Sequence, residues 1–245
     1  MTAPFPTRRQ EEWRYADLDA LKPVWEQFAE PVTLTVGPGE KLEEVWLPNS
    51  SDVQLRRFNL SLGKGAKARI FALNHAGVYG RMELEVSLGD DAQFELFGAN
   101  IGTGLSTNEF VTSIRHMGLG GRSRQVVRSV LNGRATGSYL GKVKVARGAQ
   151  GTDAEQSVKA MLLDRGATAN CKPELEIFAD DVKCAHGATV GELDPIQLFY
   201  AQSRGLDPAS ARALLLEGFV MGLWDSAQGS DVICRAAREA LRRIV

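Results

Sequence analysis

The chain is poor in the residues that build self-contained metal and disulfide sites. It has 3 cysteines and 3 histidines in 245 residues. Cys171, Cys184 and Cys234 show no pairing pattern, and an odd count without one excludes the disulfide framework of a small secreted domain. No C-x-x-C occurs, so a zinc or iron–sulfur site held by this chain alone is not expected. With so few histidines, a histidine-rich metal centre is excluded as well. No run approaches the roughly 18 apolar residues of a membrane span, and the richest segment, ALLLEGFVMGLW, is interrupted by Glu217. The net charge is -1, without the basic excess that nucleic acid or an anionic membrane demands. The opening MTAPFPTRRQEEW lacks the apolar stretch of a signal peptide, and Glu11 and Glu12 are foreign to a transit peptide. Cytoplasmic residence is the resulting expectation.

Catalytic signatures are missing too. There is no G-x-x-x-x-G-K-[ST], so ATP hydrolysis by the P-loop route is not expected. GLGGRSR at 118–124 is glycine-rich but lacks the Lys-Ser/Thr pair, and reads as a turn. Neither H-E-x-x-H nor G-x-S-x-G is present. Asp180 and Asp181 are adjacent, and adjacent residues on a strand point to opposite faces, which makes them poor partners for acid–base work.

What is present falls into three stretches, 1–30, 31–193 and 194–245. In the first, Thr7 and Gln10 have capping-box spacing, which predicts a helix through EEWRYADLDALKP to Pro23, and VWEQF adds a short apolar patch before Pro31. From Pro31 onward, short β-type runs alternate with Gly, Asn and Asp. Met82, Leu84, Val86 and Leu88 alternate with polar residues, as Val143 and Val145 do with Lys142 and Lys144, so this region reads as all-β. Gly-Ala pairs at 148/149, 166/167 and 187/188 lie 18 and then 21 residues apart. A period of about 20 residues suits the coils of a parallel β-helix, and a β-sandwich with turns at similar intervals is the alternative. In the last stretch Asp194-Pro195 and Asp207-Pro208 each place an N-cap before Pro at the first helical position. Gly205 suits a helix end, and Ser230-Asp231 opens a final helix. Three helices forming a small terminal domain are expected.

One segment, DDVKCAHGATVGELD, points to metal chemistry. On a strand, Cys184 and His186 would share a face roughly 6.5–7 Å apart, placing a thiolate and an imidazole before the same metal or partner surface. Cys184 shares parity with Val182, so a buried inert thiol is the competing reading, and for His186 it is a hydrogen-bonded turn histidine.

The pieces KPELEIFADDVKCAHGATVG, LFYAQSRG and ARALLLEGF, with EEWRYADLDAL near the start, resemble the SufB/SufD family, and CAHGATVG is similar to its SufD side. The resemblance implies a right-handed parallel β-helix core, with a short N-terminal helical segment and a C-terminal helical domain. It further implies a non-catalytic scaffold for iron–sulfur cluster assembly, pairing with a SufB-like paralogue and docking the ATPase SufC. No cofactor would be bound stably by the chain alone. A transient cluster would be shared with SufB through His186, with Cys184 a neighbouring candidate, and the isolated chain could form a homodimer. SufC docking is expected on the helices within 195–224, at Leu214, Leu215, Phe219 and Val220. The chain departs from fuller family members in being short, and in reading VMGLWD after GF. The rival function is a β-helix carbohydrate-active enzyme, against which stand the scarce aromatics and the lack of a carboxylate cluster in the sequence.

Overall fold

The computed structural model describes residues 4–49 and 51–244. The first three positions, Ser50 and Val245 lie outside them. Twelve strands form two six-stranded parallel sheets that the chain visits alternately. The odd-numbered sheet holds β1 (Val32–Val36), β3 (Val53–Leu62), β5 (Tyr79–Leu88), β7 (Thr107–His116), β9 (Thr136–Val145) and β11 (Thr168–Ile177). The even-numbered sheet holds β2 (Lys41–Trp46), β4 (Lys67–Asn74), β6 (Gln93–Gly102), β8 (Arg122–Leu131), β10 (Thr152–Leu162) and β12 (Val182–Gly191). This is a parallel β-solenoid, as expected. Met82, Leu84, Val86 and Leu88 point inward and pack against Phe94, Phe110 and Val143 in one core between the sheets. The alternate residues face out, where Lys142 pairs with Glu176 of the next coil at 2.8 Å.

The coil is longer than the Gly-Ala spacing suggested. Register partners are separated by 26 residues between Val53 and Tyr79, rising to 32 between Thr136 and Thr168. Each coil has two corners, and the small-residue pairs mark both. Gly148-Ala149 and Gly166-Ala167 lie at successive corners, whereas Gly187-Ala188 lies inside β12. The true repeat appears at one corner in the backbone itself. There Gly39, Gly65, Asp91, Gly120 and Gly151 stack, each with positive φ, and each donates its N–H to a carbonyl of the following coil.

The N-terminal stretch is less helical than the capping-box spacing predicted. Thr7 and Gln10 close a turn, and a 3-10 turn at Glu11–Trp13, α1 (Leu18–Leu21), a second 3-10 turn at Lys22–Val24 and α2 (Trp25–Phe28) follow. The working cap is Asp17, whose Oδ1 accepts the Ala20 N–H at 3.0 Å. Short turns let Trp13, Leu21 and Trp25 all reach the sheet, where they bury against Leu55 and Tyr79. Tertiary burial of these large side chains outweighs the weak preference for a longer helix.

At the other terminus, α3 (Pro195–Ser203) and α4 (Pro208–Met221) begin as expected, with Asp194 and Asp207 accepting N–H bonds from their first turns. Gly205 adopts φ 97 beyond α3, and α5 (Ser230–Arg242) follows. Helices α4 and α5 share a core with the outer face of the even-numbered sheet. Leu216, Val220, Ile233, Ala237 and Leu241 pack with Phe71, Leu73, Ala99, Ile101 and Val130. Trp224 completes that layer, its indole N–H donating to the Phe97 carbonyl at 3.1 Å.

Candidate functional site: the open terminal coil

Strand β12 pairs with β10, and β11 with β9, each on one side only. Their outer edges therefore present unpaired backbone groups, a ready template for another strand. Edge strands are usually protected by charge, yet from Cys184 to Gly191 β12 carries no Lys, Arg, Asp or Glu. It is also exposed along that length apart from half-buried Cys184. Apolar side chains flank the opening: Phe178 is 64% exposed and Val190 51%.

The strand alternation places both predicted residues on the inward side. Cys184 stands in register with Ala154 and His186 with Gln156, and Ala154 and Gln156 are buried between the sheets. Cys184 packs with Val182 against the edge of the core. His186, one alternation further, is exposed at the mouth. Beneath it runs a buried polar column. Gln156 Oε1 accepts from the Tyr139 hydroxyl at 2.8 Å, and Gln156 Nε2 donates to the Glu174 carbonyl at 3.1 Å. Tyr139 in turn meets Gln125 at 3.0 Å, and Thr112 donates to Gln125 at 2.6 Å. His186 thus stands at the solvent end of a polar seam that fixes the floor below it.

Burial pushes the Cys184 thiol above its ordinary range, and nearby Asp153 adds to this, against a hydrogen bond with Ala154. The thiol therefore stays protonated at neutral pH. Cys171 was not singled out from the sequence. It stands in register with Tyr139 and packs against the same core edge, and burial raises its thiol too. The alternation of Cys171 with Leu175 in CKPEL was the available signal. No group of three or more His, Cys, Asp or Glu among the described residues is placed to hold a metal ion. Cys184 and His186 share a strand face, but further ligands would have to come from another chain.

The helix residues divide unequally. Val220 is fully buried in the core shared with the even-numbered sheet, so its place is structural. Phe219 is half-buried there, with the Arg128 guanidinium 5.9 Å from its ring centroid. Leu215 is half-buried, and Leu214 is 57% exposed. The larger exposed apolar surface is on α3, where Ile196 is 75% and Phe199 72% exposed. The broad apolar face of α4 drew attention from the sequence because a core face and a docking face have the same composition.

Comparison with known proteins agrees with the fold. Residues 31–219 match the model for the family described as SUF system FeS cluster assembly, SufBD core domain. A SufBD family protein of Synechocystis is 32% identical over 167 residues, covering 68% of this chain and 37% of that protein. SufD of Escherichia coli is 36% identical over 104 residues, covering 42% and 25%. The chloroplastic protein ABCI7 of Arabidopsis thaliana is 41% identical over 125 residues, covering 50% and 24%. The aligned chain spans about a quarter to just over a third of the length of these relatives. A family match over most of the chain, on a two-sheet parallel solenoid of the expected kind, makes this protein a member of the SufBD core family of the SUF iron–sulfur cluster assembly system.

Proposed function

We propose that the chain is a SufD-type, non-catalytic scaffold subunit of a Suf assembly complex, working in the cytoplasm. The observation that supports this reading is the open terminal coil, whose unpaired β12 edge is uncharged from Cys184 to Gly191 and has Cys184 and His186 facing its mouth. Strand addition by a SufB-like paralogue satisfies the free backbone groups and closes the mouth. His186 then offers an imidazole to a transient iron–sulfur cluster whose remaining ligands come from the paralogue, with Cys184 as a second donor. Histidine is an established replacement for cysteine on iron. The cluster is cargo, and the lone chain holds no stable cofactor. In isolation the same edge allows two copies to pair as a homodimer.

The ATPase SufC docks on the α3–α4 surface through Leu214, Leu215 and the exposed side chains of α3, and supplies the nucleotide chemistry that this chain lacks. The test is co-expression of this chain, tagged, with a SufB-like paralogue and a Walker-A ATPase. Co-purification of both, with iron and sulfide retained under anaerobic conditions, is expected. Recovery of the chain alone would overturn the reading.

A further inference from the structure

Because strand register repeats from coil to coil, the last closed coil fixes what faces what in the open one. On β9 and β10 the inward residues Tyr139 and Gln156 face each other across the interior, and the Tyr139 hydroxyl donates to Gln156 Oε1 at 2.8 Å. Gly141 keeps that lane clear, since a Cβ there would collide with the Tyr139 hydroxyl. One coil further on, the register partner of Tyr139 is Cys171, and that of Gln156 is His186. The terminal coil therefore sets a thiol on one sheet opposite an imidazole on the other, at the two positions that are bridged directly one coil below.

The exchange of Tyr for Cys shortens one arm by a phenol ring, so this pair does not close as the pair below it does. Cys171 is a half-buried free thiol at the core edge, and His186 is exposed at the mouth. Neither residue shares the fixed hydrogen bonds of the Tyr139–Gln156 rung. Thiolate and imidazole together are the donor set of zinc and iron. A metal ion joining them stands about 2.3 Å from sulfur and about 2.0 Å from nitrogen, a bonded path of roughly 4.3 Å for which the missing ring makes room. Cys184 is placed differently. It lies on the same strand as His186, one alternation toward the corner, with its sulfur hydrogen-bonded to Ala154, and so belongs to the same wall rather than the facing one.

We propose that Cys171 is a metal-binding residue of this chain, and that it and His186 grip a borderline-soft divalent ion from the two sheets at the mouth of the terminal coil. Two donors from one chain agree with the lack of any three-residue metal group among the described residues, and leave the remaining coordination positions to water or to an incoming chain. As the sulfur–metal bond forms, the Cys171 thiol gives its proton to solvent, and no oxidation state changes. The assignment rests on the scaffold reading in placing metal at the mouth, and deepens it by adding a donor from β11, so that the cargo is held by both walls.

The test is anaerobic titration of the reduced full chain with cobalt(II), a coloured stand-in for zinc and ferrous iron, read by its thiolate-to-cobalt charge-transfer absorption. Cys171→Ser, His186→Ala, Cys184→Ser and, as a control on α5, Cys234→Ser are titrated alongside. One-to-one binding with a charge-transfer band is expected in the wild-type chain and in Cys234→Ser. Affinity should fall at least tenfold in His186→Ala and in Cys171→Ser, with the band lost in the latter. A second measurement needs no variant to fold: cobalt should slow alkylation of Cys171 at least tenfold in the wild-type chain and leave Cys234 unaffected, as mass mapping reads. Absence of saturable binding would overturn the proposal, as would unprotected Cys171. A band that survives Cys171→Ser and vanishes in Cys184→Ser would also overturn it, by moving the thiolate to the wall of His186. Co-purification with a paralogue and an ATPase is a separate outcome, since these titrations use the lone chain, and either result can fail without the other.

Discussion

Gln156 and His186 are register partners on β10 and β12, and they are the last buried and the first open members of one inward-facing column. Gln156 is held by Tyr139 and Glu174, so His186 stands on a fixed floor with its ring toward solvent. His186→Ala should therefore leave the isolated chain's stability within about 0.5 kcal/mol, as exposed substitutions usually do. In the reconstituted complex the same variant should lose most of its iron and sulfide. Chemical denaturation and anaerobic metal analysis separate the two effects, and normal cluster yield would remove His186 from the ligand set.

Asp91 occupies a glycine position. Its φ is 53, and it stacks in the corner column with Gly39, Gly65, Gly120 and Gly151. A non-glycine residue in the left-handed region carries a cost of roughly 1 kcal/mol, eased for Asp. Asp91→Gly should raise stability by up to about 1 kcal/mol, read as a higher urea midpoint with an unchanged slope. A lower midpoint would mean that the Asp91 side chain makes a compensating contact.

His116 is buried beside Ser123, with its Nε2 2.9 Å from the hydroxyl and its Nδ1 unpartnered among the described residues. Burial pushes its pKa down to about 4. The unfolded chain takes up that proton near pH 6.5 and the folded chain does not. The associated stability is thus fully present above about 6.5 and lost as pH falls toward 4, by up to about 3 kcal/mol. His116→Leu should be less stable at pH 7 but less sensitive to pH over that window. Parallel denaturation series from pH 7 to 4.5 test this, and identical slopes would refute it.

Beneath the N-terminal segment, where it donates to the Glu12 carbonyl and lies under the Trp13 ring, Arg81 is fully buried between Glu109 and Glu83, 3.0 Å from the first and 2.6 Å from the second. Burial opposes its charge, yet Glu109, Tyr79 and Glu83 together raise its pKa above the ordinary guanidinium value. Arg81→Ala would leave the buried Glu109 without its cation, while Glu83 keeps Arg57, and would remove the cation under Trp13, a loss of about 3–5 kcal/mol. The N-terminal segment should then become protease-sensitive before the solenoid does. Global and local unfolding that remained coincident would argue against separable release of the N-terminal segment.

The elements of the fold and its sites differ in how far the sequence reveals them. Asp194 and Asp207 cap their helices as read, because capping chemistry is local. The Met82–Leu88 alternation gave the core face, since the strand period is fixed. Cys184 and His186 were paired by the same rule. The Arg81–Glu109 network was hidden, because charged residues alternating along a strand read as a solvated face, and their partners lie a whole coil away. The coil length was misread because two kinds of corner, both rich in small residues, interleave along the chain. Val220 and Leu214 could not be sorted, since only packing against the even-numbered sheet distinguishes the face of α4 that is core.

The β12 edge makes the most direct demand on the scaffold reading. Ala188 is exposed on that edge, in register with buried Val158 on β10. A lysine there restores the kind of charge with which proteins block edge-to-edge pairing. Because Ala188 is exposed, Ala188→Lys should change the stability of the lone chain by no more than about 0.5 kcal/mol. Capture of a SufB-like paralogue, and self-association of the isolated chain, should both fall together, while ATPase capture through α3 and α4 persists. Sedimentation velocity of the lone chain and pull-down from the three-component mixture read these outcomes separately. Undiminished paralogue capture would move the interface away from β12, and loss of the ATPase with the paralogue would mean that the helices bind it only within the assembled pair.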